Sequence, residues 1–263
     1  QSRHDAPRRA SHAQSVPECE PDHTQVGWTV HYSQPKGLKL MKLHMYPGST
    51  TSRPVMMLAV LADIPLELVL VDLMKGEQHS PAFARLNPNR LVPVLEDGDF
   101  VLTESSAIMK YLADHADSAL YPKDLKRRAQ VNERMDWFNT NLYRDWGYNL
   151  IYPQVFSHHA RACEEHTQST VEWGRAKSLH ALAVLDEHII RTNAYVCGDA
   201  LTIADLFGAQ ILSLGELVRA DLSRFRNVHR WLERMKSLPA WQQVNQAHEG
   251  FARSLAGRSL VAV

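Results

Sequence analysis

The chain has 263 residues, its 29 Lys and Arg balance its 29 Asp and Glu, and its formal net charge is +0. That balance argues against a polybasic nucleic-acid binder, which needs excess cations facing phosphates. With 44% apolar and 22% charged residues, the composition suits a globular protein with a sizeable core and excludes a chain disordered throughout.

The length suits one large or two small domains. The longest apolar run, VMMLAVLA at residues 55–62, falls far short of the roughly 20 residues that span a bilayer. The N-terminus carries no apolar stretch of the secretory kind, so no membrane is expected as a partner. Cys19, Cys163 and Cys197 are odd in number and sparse, which suits a reducing, cytoplasmic setting better than a disulfide framework.

Residues 1–39 carry Pro7, Pro17, Pro21 and Pro35 and little apolar periodicity. They are expected to be a disordered tail or a non-native extension, with Met41 as the natural start. From residue 40 the pattern alternates. Residues 40–46 read as a strand ended by Pro47 and Gly48. Residues 53–61 read as a helix with Pro54 in its first turn, and residues 66–72 as a second, parallel strand. A short helix follows at 81–86. Two strands lie within 91–102 around Asp97-Gly98, a hairpin signal, and a helix follows at 104–113. The order β-α-β-α-β-β-α is that of a thioredoxin-like domain, placed at 40–116 and followed by a linker at 117–123.

Residues 124–263 read as an all-helical domain. Helical patterns cover 125–146, 171–190, 202–219, 225–237 and 240–256. Thr202 precedes Asp205 by three residues, as in a capping box with Asp for the usual Glu. The fold class is thus an α/β thioredoxin-like N-terminal domain followed by an all-α C-terminal domain.

Three places carry chemistry. The turn PGSTTSRP at 47–54 joins a strand to a helix N-terminus. Backbone N–H groups and the helix dipole favour an anion there, a thiolate included. Ser49, Thr50 and Ser52 supply hydroxyl donors that would lower the pKa of a bound thiol below its usual ~8.5. The simpler reading is that these hydroxyls only cap the helix. In Leu91-Val92-Pro93, a cis peptide bond would turn the Val92 backbone toward a peptide-like ligand, although most X–Pro bonds are trans. In TESSAI at 103–108, a helix start with Ser105 suits a carboxylate and Glu104 suits an ammonium group.

Together, the LNPN-x-LVPVLEDGDF and TESSAI motifs, with LYPKD and YVCGDALTIADL in the helical half, resemble the glutathione transferases. The likeness covers residues 40–249 and is greatest to the serine-type theta and delta groups and the related bacterial dehalogenases. The resemblance implies a fold and a set of roles. Ser49 falls at the hydroxyl that donates to the glutathione thiolate. Val92, before Pro93, falls at the residue whose backbone pairs with the cysteinyl part. Glu104 and Ser105 fall at the γ-glutamyl end. Gln78 or His79, and Arg90, fall nearest the glycyl end. Arg53, Thr202 and Asp205 fall at structural positions. No Cys lies between residues 40 and 124, which counts against thiol–disulfide exchange.

The electrophile pocket is expected between the domains, with Tyr143, Trp146, Tyr148 and Tyr152 as candidate lining and Phe156 nearby. Core packing is the simpler reading for each. His159, Cys163 and His166 have helical spacing that suits zinc, but a solvated loop is the preferred reading, so no metal is expected. The expectation is a homodimeric enzyme that uses glutathione as co-substrate against a small hydrophobic electrophile, without nucleic acid. The alternatives are a specialised glutathione-dependent dehalogenase or ether-cleaving enzyme, and a non-catalytic binding module.

Overall fold

The computed structural model describes residues 40–263. The tail expected over residues 1–39 lies outside the described residues. Strand β1 (Met41–Met45) alternates buried and half-buried positions, as a strand with one covered face does. Helix α1 (Ser52–Leu61) is buried from Ser52 to Ala59, the mark of a helix covered on every side. Strand β2 (Leu66–Leu70) then pairs parallel to β1, with Met41 opposite Leu66. These three elements form the expected βαβ unit.

A 3-10 turn (Glu77–His79) leads to helix α2 (Pro81–Leu86), whose start is capped by Ser80 accepting the Phe83 N–H. Strand β3 (Val94–Asp97) runs antiparallel to β1, and β4 (Phe100–Leu102) antiparallel to β3. The sheet order is β2-β1-β3-β4. The hairpin turns one residue later than expected, at Gly98 and Asp99, with Asp97 paired to Phe100. Helix α3 (Ser105–His115) closes this half.

The rest is helical. Helix α4 (Leu125–Trp137) starts on Asp124, which accepts the Arg127 N–H. It passes without a break into a π-helical segment (Phe138–Ile151) and a last turn, α5 (Tyr152–Val155), beyond the expected end at residue 146. Helix α6 (Glu164–Val184) starts earlier than the expected residue 171. Its first turn is exposed and carries no apolar period, while Glu164 and Glu165 suit the positive helix end. A π turn (Leu185–Ile190), helix α7 (Ile203–Leu212), a 3-10 segment (Ser213–Val218), helix α8 (Arg226–Lys236) and helix α9 (Pro239–Ser254) complete the chain. The Thr202–Asp205 capping box is formed, and Asp205 also accepts from Trp231 Nε1 at 2.9 Å and from the Val196 N–H at 2.8 Å.

Arg53 joins the two halves. It is fully buried on α1, and its guanidinium donates to Ser213 Oγ at 3.1 Å, to Asn245 Oδ1 and to the Gln210 carbonyl at 3.4 Å. Burial lowers its pKa to about 10, so the cation persists at neutral pH. The turn at residues 47–51 therefore sits where the sheet half meets the helices.

Candidate active site

Proton counting fixes the state of Ser49. Its Oγ accepts the N–H of Thr51 at 3.3 Å and of Ser52 at 3.2 Å. Those are orphan donors of the α1 N-terminus. A hydroxyl has two lone pairs and one proton. The lone pairs cap the helix and the proton is left over. Capping the helix therefore leaves Ser49 able to donate a hydrogen bond.

The alternates to Ser49 point elsewhere. Ser52 is fully buried and its Oγ lies 3.4 Å from the Tyr46 N–H. Thr50 Oγ1 lies 3.0 Å from the Tyr152 hydroxyl, which in turn lies 2.7 Å from the Tyr143 hydroxyl. Burial raises both phenols, Tyr152 to about 12 and Tyr143 well above the usual value. Both remain neutral donors near pH 7. Gly147 makes room for this chain, because a Cβ there would meet the Tyr143 ring at 2.6 Å.

Thr51, which sequence reasoning passed over, connects the turn to the Val92–Pro93 segment. Its Oγ1 donates to the Val92 carbonyl at 2.9 Å and lies 3.1 Å from Ser49 Oγ. The Val92–Pro93 bond is cis. Asn87 was also passed over. It is buried, donates from Nδ2 to the Leu91 carbonyl at 2.8 Å and accepts the Arg90 N–H on its own carbonyl at 2.9 Å. It thereby folds the loop that presents Val92. The signal for it was the Asn-Pro-Asn string, whose side chains favour turns.

Glu104 stands at the start of α3 with φ 65° and ψ 112°, and it makes no capping hydrogen bond. The first N–H groups of α3 are therefore open to an anion, with Ser105 buried beside the exposed Glu104. Positive φ at a non-glycine residue tends to cluster at ligand sites; Arg90 shares it at 56°. Arg90 and His79 are exposed on the loops before Val92. Gln78 lies beside His79, with Nε2 to Nε2 at 3.3 Å, and its Oε1 is buried without a partner.

Of the four residues expected to line the electrophile pocket, three come together. The Tyr148 ring lies 5.1 Å from Tyr143 and 5.2 Å from Tyr152, and Phe156 and His159 extend the aromatic group. Tyr148 is 43% exposed, at the open side. Trp146 is not part of that aromatic group. It is fully buried and packs on Gly215, where a Cβ would meet its ring at 2.5 Å. Among the described residues no group of three or more His, Cys, Asp or Glu side chains is arranged to hold a metal ion; His159, Cys163 and His166 are split between a 3-10 turn, the residue before α6 and its first turn.

Comparison with known proteins gives the family. Residues 39–114 match the glutathione S-transferase N-terminal domain and residues 150–239 the glutathione S-transferase C-terminal domain. The chain is 31% identical over 224 residues to glutathione S-transferase D6 of Drosophila melanogaster, covering 84% of this chain and 99% of that protein. A delta-class glutathione transferase of Nilaparvata lugens superposes with a TM-score of 0.69 at 35% identity, over 82% of this chain and 98% of that one. An epsilon-class enzyme of the housefly, Musca domestica, gives 0.71 at 26% identity, over 85% and 100%. With both domains matched and this identity sustained over nearly the whole of a relative, the chain belongs to the glutathione S-transferase family.

Proposed function

We propose that the protein is a serine-type glutathione transferase in which the Ser49 hydroxyl holds the glutathione sulfur as a thiolate. The observation that carries this is the spare proton of Ser49, whose lone pairs are taken by the Thr51 and Ser52 amides. A donor so polarised, at a helix N-terminus, stabilises a thiolate over a thiol. The γ-glutamyl carboxylate meets the open amides of α3 at Ser105, and Glu104 faces its ammonium group. The Val92 backbone pairs with the cysteinyl part. Gln78, His79 and Arg90 lie toward the glycyl carboxylate. The thiolate attacks an electrophilic carbon held among Tyr143, Tyr148 and Tyr152. A sulfur–carbon bond forms, and the leaving group departs with its electron pair. No protein–substrate bond forms, and the enzyme supplies proximity and a lowered thiol pKa.

Ser49→Ala tests this with glutathione and a generic aryl halide. The loss of one hydrogen bond to a charged sulfur predicts about a 10- to 100-fold fall in kcat/KM and a rise of about one to two units in the pKa of the bound thiol. Full retention of conjugating activity would overturn the assignment. The proposal includes a homodimer in the cytosol, and a monomer at micromolar concentration in sedimentation would count against that part.

A further inference from the structure

We propose that Thr51 is a positioning residue that locks the thiolate donor to the peptide-binding carbonyl, and this rests on the assignment of Ser49 above. The Val92 carbonyl has no proton, so at 2.9 Å the Thr51 hydroxyl is the donor. Thr51 has only one hydroxyl proton. Its 3.1 Å contact with Ser49 Oγ therefore uses a Thr51 lone pair and the Ser49 proton. Ser49 is saturated as an acceptor by two amides. Its proton is thus aimed along a single line, from Ser49 to Thr51 to the Val92 carbonyl.

That line joins two anchoring points of the co-substrate. One is the donor for the sulfur and the other is the backbone group for the cysteinyl residue. When the sulfur arrives, the Ser49 proton turns from Thr51 Oγ1 to the sulfur; one hydrogen bond breaks and another forms. Thr51 keeps its bond to Val92, whose carbonyl has a second lone pair for the cysteinyl N–H. Thr51 therefore holds the Ser49 rotor in place before binding and fixes the spacing of the two anchors. With that spacing fixed in advance by the Thr51–Val92 bond, less freedom is lost on binding.

Thr51→Val keeps the shape and removes the hydroxyl, whereas Thr51→Ser keeps the hydroxyl. The expected result for Thr51→Val is a rise of about tenfold in KM for glutathione and a bound-thiol pKa raised by up to about one unit. Thr51→Ser should restore both. A merely structural role would lower the melting temperature without moving the pH profile. Ser49→Ala runs beside them, and in that background Thr51→Val should leave the thiol pKa where Ser49→Ala put it. If Ser49→Ala is impaired while Thr51→Val matches wild type in KM and pH profile, the Thr51 proposal alone is overturned. If Ser49→Ala retains full activity, both readings go. Should Thr51→Val not fold, Thr51→Ala read by the same pH profile decides, and a wild-type profile overturns the proposal.

Discussion

Four consecutive hydroxyls, from Ser49 to Ser52, point four ways. Ser49 donates to Thr51, Thr50 turns to Tyr152, Thr51 to the Val92 carbonyl and Ser52 to the end of β1. Sequence can mark such a turn as rich in donors, but it cannot sort them, because backbone torsion decides where each side chain goes. Thr50 belongs with the tyrosines, through the Tyr152–Tyr143 chain, and so with the electrophile side of the proposed site. Tyr152→Phe removes the middle hydroxyl and leaves Thr50 Oγ1 and the Tyr143 hydroxyl, both in buried residues, without that partner. The expected cost is about 1–3 kcal/mol of stability. Because no hydrogen bond of Tyr152 reaches Ser49 or Val92, glutathione KM should stay within about twofold while kcat/KM for the electrophile falls. Urea unfolding and steady-state kinetics check the two halves separately. A large glutathione KM effect would place Tyr152 on the wrong side of the site.

The long helices show where pattern reading stops. The run from α4 to α5 was legible as a helix because its buried residues recur, yet its end was set too early at residue 146. Nothing in the sequence announces a π-helical register, since widening the turn changes which residues align without changing their types. The start of α6 was missed for the opposite reason, its first turn being solvated. The four strands and α1 to α3 were legible to within about three residues, because Pro, Gly and Asp-Gly punctuate them. Gly174 carried no visible signal. It lies where α6 crosses the π-helical segment, and a Cβ there would come within 2.6 Å of the Asn149 carbonyl carbon and the Leu150 nitrogen. These are backbone atoms and cannot swing aside. Gly174→Ala should therefore destabilise by about 1–3 kcal/mol, even after the ~1 kcal/mol that Ala gains in a helix. Chemical denaturation measures this, and an unchanged or raised midpoint would contradict so close a crossing.

At the scale of the whole molecule, one polar cluster ties the sheet half to the last helices. Arg53 reaches residues 160 and 192 positions away, Ser213 and Asn245. Its structural role was implied by resemblance, but those partners were beyond any local pattern. The cluster continues through His248, buried and 3.4 Å from Glu216, to Lys236 at 3.0 Å from the same carboxylate. Burial alone would raise the Glu216 pKa, but the His248 hydrogen bond and the Lys236 charge outweigh it and bring the group from 4.5 to about 2. A carboxylate depressed by folding binds its proton more readily in the unfolded chain. Its contribution is complete above the unfolded value and is lost as pH falls from 4.5 toward 2. Glu216→Gln abolishes that titration and leaves the other carboxylates in place. Between pH 7 and pH 3, wild type should therefore lose about 1–2 kcal/mol more stability than Glu216→Gln. Urea unfolding of both proteins at the two pH values gives the difference directly. Equal losses would mean that Glu216 titrates alike folded and unfolded, and that the cluster linking α8, α9 and the 3-10 segment is not held together by its charge.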